Sequence, residues 1–270
     1  SDPAIPETRK TYARSNGLRS AIDMPITKDG HVVGVFCVRS CTRKVEWSRD
    51  EIMFVAALAK MAALVFERTE RQKAEISLSG AAERLKTQQT ILDSIVRHEA
   101  FRYGTIAQSI AIINEHAITY PFIDRSNVFC CADDRQSLVP FDLQDRHHGQ
   151  NHHRGPIPVT YFDPGGDIDA VTEPLVSSDH QTDPNIPEAR RAYSATLGLR
   201  AAIDMPIVLD RHVIGLFAVR TYDRPRDWTQ DELLFVRSLA NLASLAFERN
   251  KRETAEILVG KAAERMQLQQ

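Results

Sequence analysis

The chain has 270 residues, of which 43% are hydrophobic, and its formal net charge is -2. This length accommodates about two domains of ordinary size. The mixed, nearly balanced charge gives no electrostatic case for a nucleic-acid partner or for an anionic membrane surface. Charged residues interrupt every long apolar stretch, so neither a transmembrane span nor a signal peptide is evident. We therefore expect a soluble, globular, cytoplasmic protein.

Four cysteines in a chain of this length do not form a disulfide framework, which suits a reducing compartment. Cys37 and Cys41 are separated by about 13 Å along a predicted strand, too far to share a metal. Cys130 and Cys131 are adjacent, so their side chains point to opposite faces of a strand. We interpret all four as buried, unreactive thiols.

The chain contains one block twice. Residues 2–89 and 183–270 align without a gap at a constant offset of 181, with about half of the paired positions identical, which makes a tandem repeat. Each copy begins DP-x-IPE-x-R-x-x-Y and continues GLR-x-AIDMPI. It then runs through H-V-[VI]-G-[VL]-F-x-V-R to W-[ST]-x-D-E and a long helical tail.

The first copy opens with a short helix followed by two strands. The pattern predicts a helix over Glu7–Ser15 that stops at Gly17, a residue suited to the position after a helix. Strand signals follow over 19–26 and 32–38. The second strand is apolar on both faces, so we expect both faces to be covered.

The loop between these strands differs between the two copies. Asp29-Gly30 in the first copy is typical of a tight hairpin turn, because glycine adopts positive φ at little cost. The second copy has Asp210-Arg211 there, so we expect a different turn.

A capping box predicts the start of a long helix in each copy. Ser48 with Glu51, and Thr229 with Glu232, can satisfy helix N-terminal amides reciprocally. A tryptophan precedes each box and is placed to pack on the apolar residue at the fourth helical position. These pairs are Trp47 with Ile52 and Trp228 with Leu233.

The helical pattern outlasts the first block. If continuous over 48–96, this helix is on the order of 75 Å long. Leu78, Leu85 and Leu92 recur every seven residues, which is typical of a coiled-coil seam. We expect a parallel homodimer through helices 48–96 and 229–270; packing along the same chain is the alternative.

The unrepeated middle predicts a helix, a hairpin and a long loop. The helix covers 100–116, and the hairpin pairs 127–132 with 137–141. Residues 142–169 are polar and carry Gly and Pro without periodicity, which is typical of a binding lid. A last short strand is expected over 175–178.

Four histidines in this loop are the only candidates for a metal site: His147, His148, His152 and His153. Imidazoles this close can bind Zn, Ni or Cu when the backbone folds them inward. No Cys or carboxylate supports them, so we favour a solvated loop and predict no metal. The sequence contains no recognisable catalytic constellation, and we predict that this chain is not an enzyme.

Both copies resemble the C-terminal half of a GAF domain, a small-molecule sensory module. The resemblance rests on D-x-x-I-P-E-x-R-x-x-Y, G-[LV]-R-x-x-[IL]-x-x-P-[IL], the G-[VL]-[FL]-x-[VL] strand and W-[ST]-x-D-E. It implies an α+β fold, with a central antiparallel sheet between helical layers and long helical linkers. We divide the chain into half a GAF-like domain (1–68), a helical linker (69–97), a complete GAF-like domain (98–249) and the start of a second linker (250–270). The first domain's other half is expected upstream, in a longer protein.

The resemblance also implies a pocket in the second domain. It places near that pocket seven candidate ligand-binding residues: Ser177, Asp179, Arg190, Tyr193, Arg200, Asp204 and Phe217. The stretch 186–200 resembles the bilin-contacting segment of phytochrome GAF domains. Asn185 replaces the family's Asp, and 183–270 contain no Cys for a thioether, so we do not expect a covalent bilin. The cofactor is left unassigned.

The resemblance implies a bacterial-type sensor. It would bind a small ligand and relay the event through dimeric helices to an output domain outside this chain, such as a histidine kinase or a nucleotide cyclase. The alternative is a ligand-free dimerisation scaffold built from the same folds. Neither hypothesis invokes nucleic acid or a membrane.

Overall fold

The computed structural model describes residues 6–147, 155–222 and 224–267. The chain divides into two compact units, Ser1–Ala82 (unit 1) and Glu83–Gln270 (unit 2). Among the described residues, no helix has an apolar stretch long enough to cross a bilayer.

Unit 1 consists of a short helix, a hairpin and the first part of a long helix. Its elements are α1 (Glu7–Ser15), β1 (Ser20–Lys28), β2 (His31–Ser40) and α2 (Arg49–Arg97), whose last turns belong to unit 2. The strands form a two-stranded antiparallel sheet. The helix predicted over Glu7–Ser15 and the unbroken helix predicted over 48–96 are both confirmed.

Unit 2 is built on a six-stranded antiparallel sheet with the order β5-β4-β3-β8-β7-β6. Its strands are β3 (Arg125–Cys131), β4 (Ser137–Asp145), β5 (Ile157–Pro158), β6 (Leu175–Ser177), β7 (Ala201–Leu209) and β8 (His212–Thr221). Its helices after α2 are α3 (Glu99–Tyr103), α4 (Ile106–Ala117), α5 (Glu188–Thr196) and α6 (Gln230–Gln267). The predicted α+β class and antiparallel sheet are confirmed.

A separate hydrophobic core covers each face of this sheet. Phe217 and Val219 of β8 pack among residues of α4, α6 and the last turns of α2. Leu216 and Ala218, which alternate with them, join a second core that includes Phe162. β8 is therefore covered on both faces, as its apolar pattern predicts.

Unit 1 contradicts that prediction for the equivalent strand. Val33 and Val35 of β2 are at least half exposed, and Val32 is also exposed. Cys37 and Cys41 are exposed too, so the expectation of four buried thiols is wrong for these two. Among the described residues of unit 1, no second layer covers this face of the hairpin.

The capping boxes form as predicted in one copy and by half in the other. The Ser48 amide donates to Glu51 at 2.7 Å, and the Glu51 amide donates to the Ser48 hydroxyl at 3.2 Å. The Thr229 amide donates to Glu232 at 3.0 Å, but the Glu232 amide does not donate to the Thr229 hydroxyl in return. Trp47 and Trp228 lie outside the strands, just before these helices.

The helix predicted over 100–116 is broken at Gly104. A Cβ there would lie 2.4 Å from the carbonyl oxygen of Ala100, so only glycine fits this turn. Thr105 then starts α4 with a complete capping box to Gln108. The capping box at Thr105 marks a new helix start inside the predicted span, which a count of apolar spacing does not detect.

Arg249 of α6 holds the connection between α3 and α4. Its guanidinium donates to the carbonyls of Phe101, Arg102 and Gly104, the last two at 2.9 Å, and to the hydroxyl of Ser109 at 2.7 Å. One side chain therefore satisfies the carbonyls that end α3.

The two hairpin turns are alike, contrary to the expectation. Asp29 and Gly30 have φ of 48° and 79°, and Asp210 and Arg211 have φ of 52° and 68°. Both residues of each turn are left-handed, as in the tightest hairpins. Arg211 thus adopts a conformation that normally favours glycine.

Candidate functional site

The sheet face of unit 2 that lies towards α5 carries a row of polar side chains. Strand register places Ser177, Ala202, Arg220, Arg125 and Asp145 side by side across five strands. Directly paired residues point to the same face of an antiparallel sheet. Two arginines are therefore immediate neighbours on one buried surface, an arrangement that destabilises a sheet unless other groups compensate it.

The next row on the same face supplies a carboxylate. It runs through Leu175, Asp204, Ala218, Asn127 and Leu143. Asp204 is fully buried and forms ion pairs with Arg220 of β8 and with Arg190 of α5. Burial alone would raise the pKa of the Asp204 carboxyl, but the two guanidinium groups hold it below its usual value.

The remaining arginine has its own carboxylate. Arg125 lies 3.7 Å from Asp145, which also accepts a hydrogen bond from the hydroxyl of Tyr222. Burial and the hydrogen bond to Asp145 raise the pKa of Tyr222 well above its ordinary value. This hydroxyl is therefore a neutral donor at physiological pH.

Helix α5 places Arg190 over the sheet. Its guanidinium stacks on the ring of Phe162, 4.5 Å from the ring centre, and lies 3.4 Å from the carbonyl oxygen of Tyr161. The Asp183-Pro184 turn and the preset backbone of Pro187 start this helix, as the repeated DP-x-IPE motif predicts. Pairing with Asp204 thus ties α5 to the sheet.

A small cavity of about 30 Å³ lies between α5, the 157–162 segment and the sheet. Its walls combine three arginines with aromatic and small side chains: Arg125, Asn127, Phe129, Ile157, Tyr161, Phe162, Arg190, Tyr193, Ser194, Leu197, Leu199 and Arg220. The volume accommodates about one or two water molecules. No acidic side chain of the described residues lines it.

Several buried polar atoms near the cavity lack a hydrogen-bond partner among the described residues. They are the Asn127 Oδ1, the Ser177 Oγ and both ring nitrogens of His180. Burial, together with Arg220 and Arg190, lowers the pKa of His180 to about 3, so the ring is neutral at physiological pH. Unpaired buried groups are uncommon in proteins because each costs free energy.

The structure brings together only part of the predicted site. Arg190 and Tyr193 line the cavity. Asp204 and Ser177 lie on the same sheet face but behind the cavity wall. Phe217 is buried in the core on the opposite face, and its predicted position at the pocket is wrong because the strand register turns it towards the helices.

Asp179 and Arg200 pair with each other instead of lining the cavity. The Asp179 carboxylate accepts two hydrogen bonds from the Arg200 guanidinium, at 3.0 and 2.8 Å. The hydrogen bond from Arg200, stronger than the effect of desolvation, lowers the pKa of Asp179. This pair fixes the loop after β6 to the start of β7.

The residues that sequence reasoning missed are Arg125, Asn127 and Arg220. Arg220 ends the repeated V-R motif, and an arginine that closes an apolar strand in both copies was a usable signal. Arg125 and Asn127 lie in the unrepeated part. Only the register between β3 and β8 shows that they face the same cavity.

Unit 1 repeats the ion-pair cluster in an open setting. Arg9 and Arg39 both pair with Asp23, at positions equivalent to Arg190, Arg220 and Asp204. The side chain of Arg9 is 56% exposed, whereas that of Arg190 is 5% exposed. The groove beside this cluster has a volume of about 800 Å³, because no β3-like wall closes it within the described part of unit 1.

The metal candidates lie mostly outside the described residues, namely His148, His152 and His153. His147 lies 3.5 Å from Asp124 and packs edge-on against Tyr222. Within the described ranges, no cluster of three His, Cys, Asp or Glu side chains could hold a metal ion.

The GAF domain family model matches residues 1–66 and 89–247. The chain belongs to the GAF domain family. Domains of this family commonly bind small ligands in signalling proteins, and the antiparallel sheet and long helix of unit 2 fit that fold. No curated protein matches the chain.

Three solved structures illustrate the likeness. The phycocyanobilin-bound GAF domain from a cyanobacterial phytochrome has 14% identity and a TM-score of 0.53, over 62% of this chain and 96% of that chain. The GAF domain of a phosphoenolpyruvate-protein phosphotransferase from Coxiella burnetii has 14% identity and a TM-score of 0.50, over 65% of this chain and 98% of that chain. Free methionine-R-sulfoxide reductase from Neisseria meningitidis, in complex with its substrate, has 14% identity and a TM-score of 0.50, over 64% of this chain and 93% of that chain. At these identities the likeness extends to the fold alone.

Proposed function

We propose that this chain is a tandem-GAF segment of a cytoplasmic, bacterial-type sensor, and that unit 2 binds a small ligand in the cavity beneath α5. The observation that carries the proposal is the Oδ1 atom of Asn127, a buried acceptor in the cavity wall that has no partner among the described residues. A fold that needed only stability would replace or pair such groups. A ligand with complementary polar atoms would satisfy them.

The small volume of the cavity implies that binding of a larger ligand moves α5. At about 30 Å³ it is too small for a ligand larger than a few atoms. The residues also do not fit a covalent bilin, because none of the described residues that line the cavity is a cysteine. The nearest cysteines are in β3, where burial raises the pKa of Cys130 to about 12 and also raises that of Cys131. These thiols are poor nucleophiles.

A polar network offers a route from the cavity side of unit 2 to its helices. Arg226 donates its amide to the carbonyl of Ser178 at 2.8 Å, and its guanidinium pairs with Glu232 at the start of α6. Glu232 accepts from Tyr120 at 3.4 Å, and the Tyr120 hydroxyl accepts from Gln88 of α2 at 3.2 Å. Movement near β6 would therefore reach both long helices.

We propose that these helices dimerise and pass the signal to an output domain, such as a histidine kinase, outside this chain. Leu78 and Leu85 are exposed by 73% and 53% on α2, as a seam awaiting a partner would be. In this proposal, 69–97 and 250–270 are the linkers between the GAF domains and their neighbours. The chain senses; it does not catalyse.

A ligand screen tests the binding proposal. The full chain has two tryptophans, one in each unit, so a Trp47→Phe variant reports the unfolding of unit 2 through Trp228. A ligand that binds only the folded state raises the midpoint of that transition. We expect a shift from at least one neutral or charged small molecule.

A cavity-filling variant supplies the control. Ser194→Leu fills the space beneath α5 and should abolish the shift, whereas Ala13→Leu, at the equivalent position of unit 1, should leave it intact. If no compound shifts the midpoint, the ligand-free dimerisation scaffold replaces the sensor proposal.

Self-association tests the dimer. Leu85→Asp places a charge in the apolar seam and should lower the sedimenting mass towards that of the monomer at micromolar concentration. Lys86→Asp adds an acid one residue away, off the seam, and should change it little. Equal profiles for wild type and Leu85→Asp would remove the dimer from the proposal.

A further inference from the structure

The walls of the unit 2 cavity carry an excess of positive charge. Three arginines line it, Arg125, Arg190 and Arg220, and no acidic residue does. Behind the walls, Asp204 and Asp145 are the only carboxylates among the described residues that pair with these arginines. Since His180 is neutral, the buried group of side chains holds three positive charges and two negative ones.

The excess lies where a ligand would meet it. Arg220 and Arg125 are directly opposed across β8 and β3, and Arg190 reaches the same space from α5. Arg220 is 7% exposed and Arg125 is 6% exposed. Burial lowers the pKa of Arg220, although this side chain pairs with Asp204 and donates to the carbonyls of Ile203 and Val219. Like charges in this position repel unless an anion lies between them.

The size and shape of the cavity suit one anionic group. A volume of about 30 Å³ accommodates a carboxylate, or a few phosphate oxygens, in place of one or two waters. The planar guanidinium group binds both kinds of oxyanion through paired hydrogen bonds. The aromatic rings of Phe129, Phe162 and Tyr193 surround the remaining space.

We propose that the ligand of unit 2 carries a carboxylate or phosphate, and that this group binds between Arg125, Arg190 and Arg220. The inference rests on the proposed function, since it names the chemical class that the cavity takes. Asp204 then has a second role besides pairing: it limits the positive charge of the site and so sets its affinity for anions.

The test uses acetate and inorganic phosphate as probes on the full chain. In the Trp47→Phe background, each is titrated against sodium chloride at constant ionic strength, and the Trp228 midpoint is recorded. We expect the midpoint to rise by about 3–5 °C at ten times the dissociation constant for at least one probe, and to keep rising with the logarithm of its concentration. A response no larger than that of chloride overturns the inference.

Two substitutions move the response in opposite directions. Arg220→Gln leaves Arg190 to balance Asp204 and should weaken anion binding at least tenfold. Asp204→Asn removes a negative charge and should strengthen binding, although it lowers the starting midpoint. Arg39→Gln, at the matching position of unit 1, should leave the response unchanged. An unaltered response in Arg220→Gln, or a weaker one in Asp204→Asn, contradicts the proposal.

One measurement needs no folded variant. In ¹⁵N-labelled wild-type chain, the Nε–Hε resonances of buried arginines should shift as acetate or phosphate is added. Unmoved resonances overturn the inference. If neutral compounds bind, and Ser194→Leu blocks them, while neither anion does, the charge inference fails and the sensor proposal stands. If no compound binds, the sensor proposal is wrong, and the charge inference that rests on it is wrong as well.

Discussion

The two units share a sequence but give it different surroundings. Phe54 of unit 1 is 65% exposed, whereas the equivalent Phe235 of unit 2 is 3% exposed. Val65 and Ala246 differ in the same way. In unit 2, residues of α4 and the last turns of α2 share this core, and within the described part of unit 1 no such layer is present. Equivalent residues of α2 and α6 therefore form a buried core in one unit and an exposed surface in the other, according to what packs on them.

Some residues that both copies of the repeat contain make contacts that explain their identity only in unit 2. A Cβ on Gly215 would lie 2.0 Å from the carbonyl oxygen of Phe129 in β3, but a Cβ on Gly34 would make only an ordinary contact with Ile26. The indole N–H of Trp228 donates to the carbonyl of Ser177 in β6 at 3.3 Å. That of Trp47 is buried without a partner in the described residues. Unit 1 thus carries residues fitted to strand neighbours like β3 and β6.

The largest expected difference between the units concerns the paired aspartates. Asp204→Asn leaves two buried arginines without their carboxylate, and we expect unit 2 to lose about 3–5 kcal/mol in its free energy of unfolding. Asp23→Asn alters a cluster whose arginines are partly exposed, so unit 1 should lose at most about 1 kcal/mol. Urea unfolding, followed through Trp228 and Trp47 separately, measures both. Equal losses would mean that burial does not separate the two clusters.

The second-largest expected difference concerns the equivalent glycines Gly215 and Gly34, whose replacement by alanine should affect stability unequally. Gly215→Ala forces β8 away from β3, and overpacking of this kind costs about 3 kcal/mol. Gly34→Ala has room and should change the stability of unit 1 by less than about 1 kcal/mol. Thermal unfolding of each single-tryptophan variant provides the comparison. A stable Gly215→Ala chain would show that the strands can separate without loss.

A smaller difference is expected in acid. The pKa of His180 falls from 6.5 to about 3 on folding, so the unfolded chain binds the proton more readily between these values. The resulting stability is complete above pH 6.5 and decreases as pH falls, by about 2 kcal/mol at pH 5.

Replacing the ring tests this assignment. Leucine cannot take up a proton, so His180→Leu removes this contribution to the pH dependence. The free energy of unfolding of unit 2 should then stay level from pH 6.5 to pH 5, provided that the other titratable groups contribute no slope. Urea unfolding through Trp228 at several pH values measures the slope. A slope that persists in His180→Leu would place the acid sensitivity elsewhere.

The local elements of this fold could be predicted from the sequence because their causes are local. A proline and an acid start α1 and α5, a serine capping box starts α2, and runs of mostly apolar residues form β7 and β8. The Asp29-Gly30 turn followed from glycine chemistry. The resemblance to GAF domains implied Arg190 and Tyr193, and both line the cavity.

The rest depended on contacts between distant parts of the chain. Arg125 and Arg220 become neighbours only through the register of β3 with β8. Phe217 could not be assigned to a face until that register was known. Arg211 adopts positive φ because the hairpin it closes requires it, although its own preference opposes this. Periodicity gives no information on any of these three points.

The clamp made by Arg249 restricts how α6 can transmit a change. A slide of one residue along the helix axis moves its guanidinium by about 1.5 Å, enough to break hydrogen bonds to several acceptors at once. A small displacement is therefore resisted, and a large one releases the whole set together. Helix α6 would then stay in one position along its axis until the applied force is large enough to break all of these hydrogen bonds together.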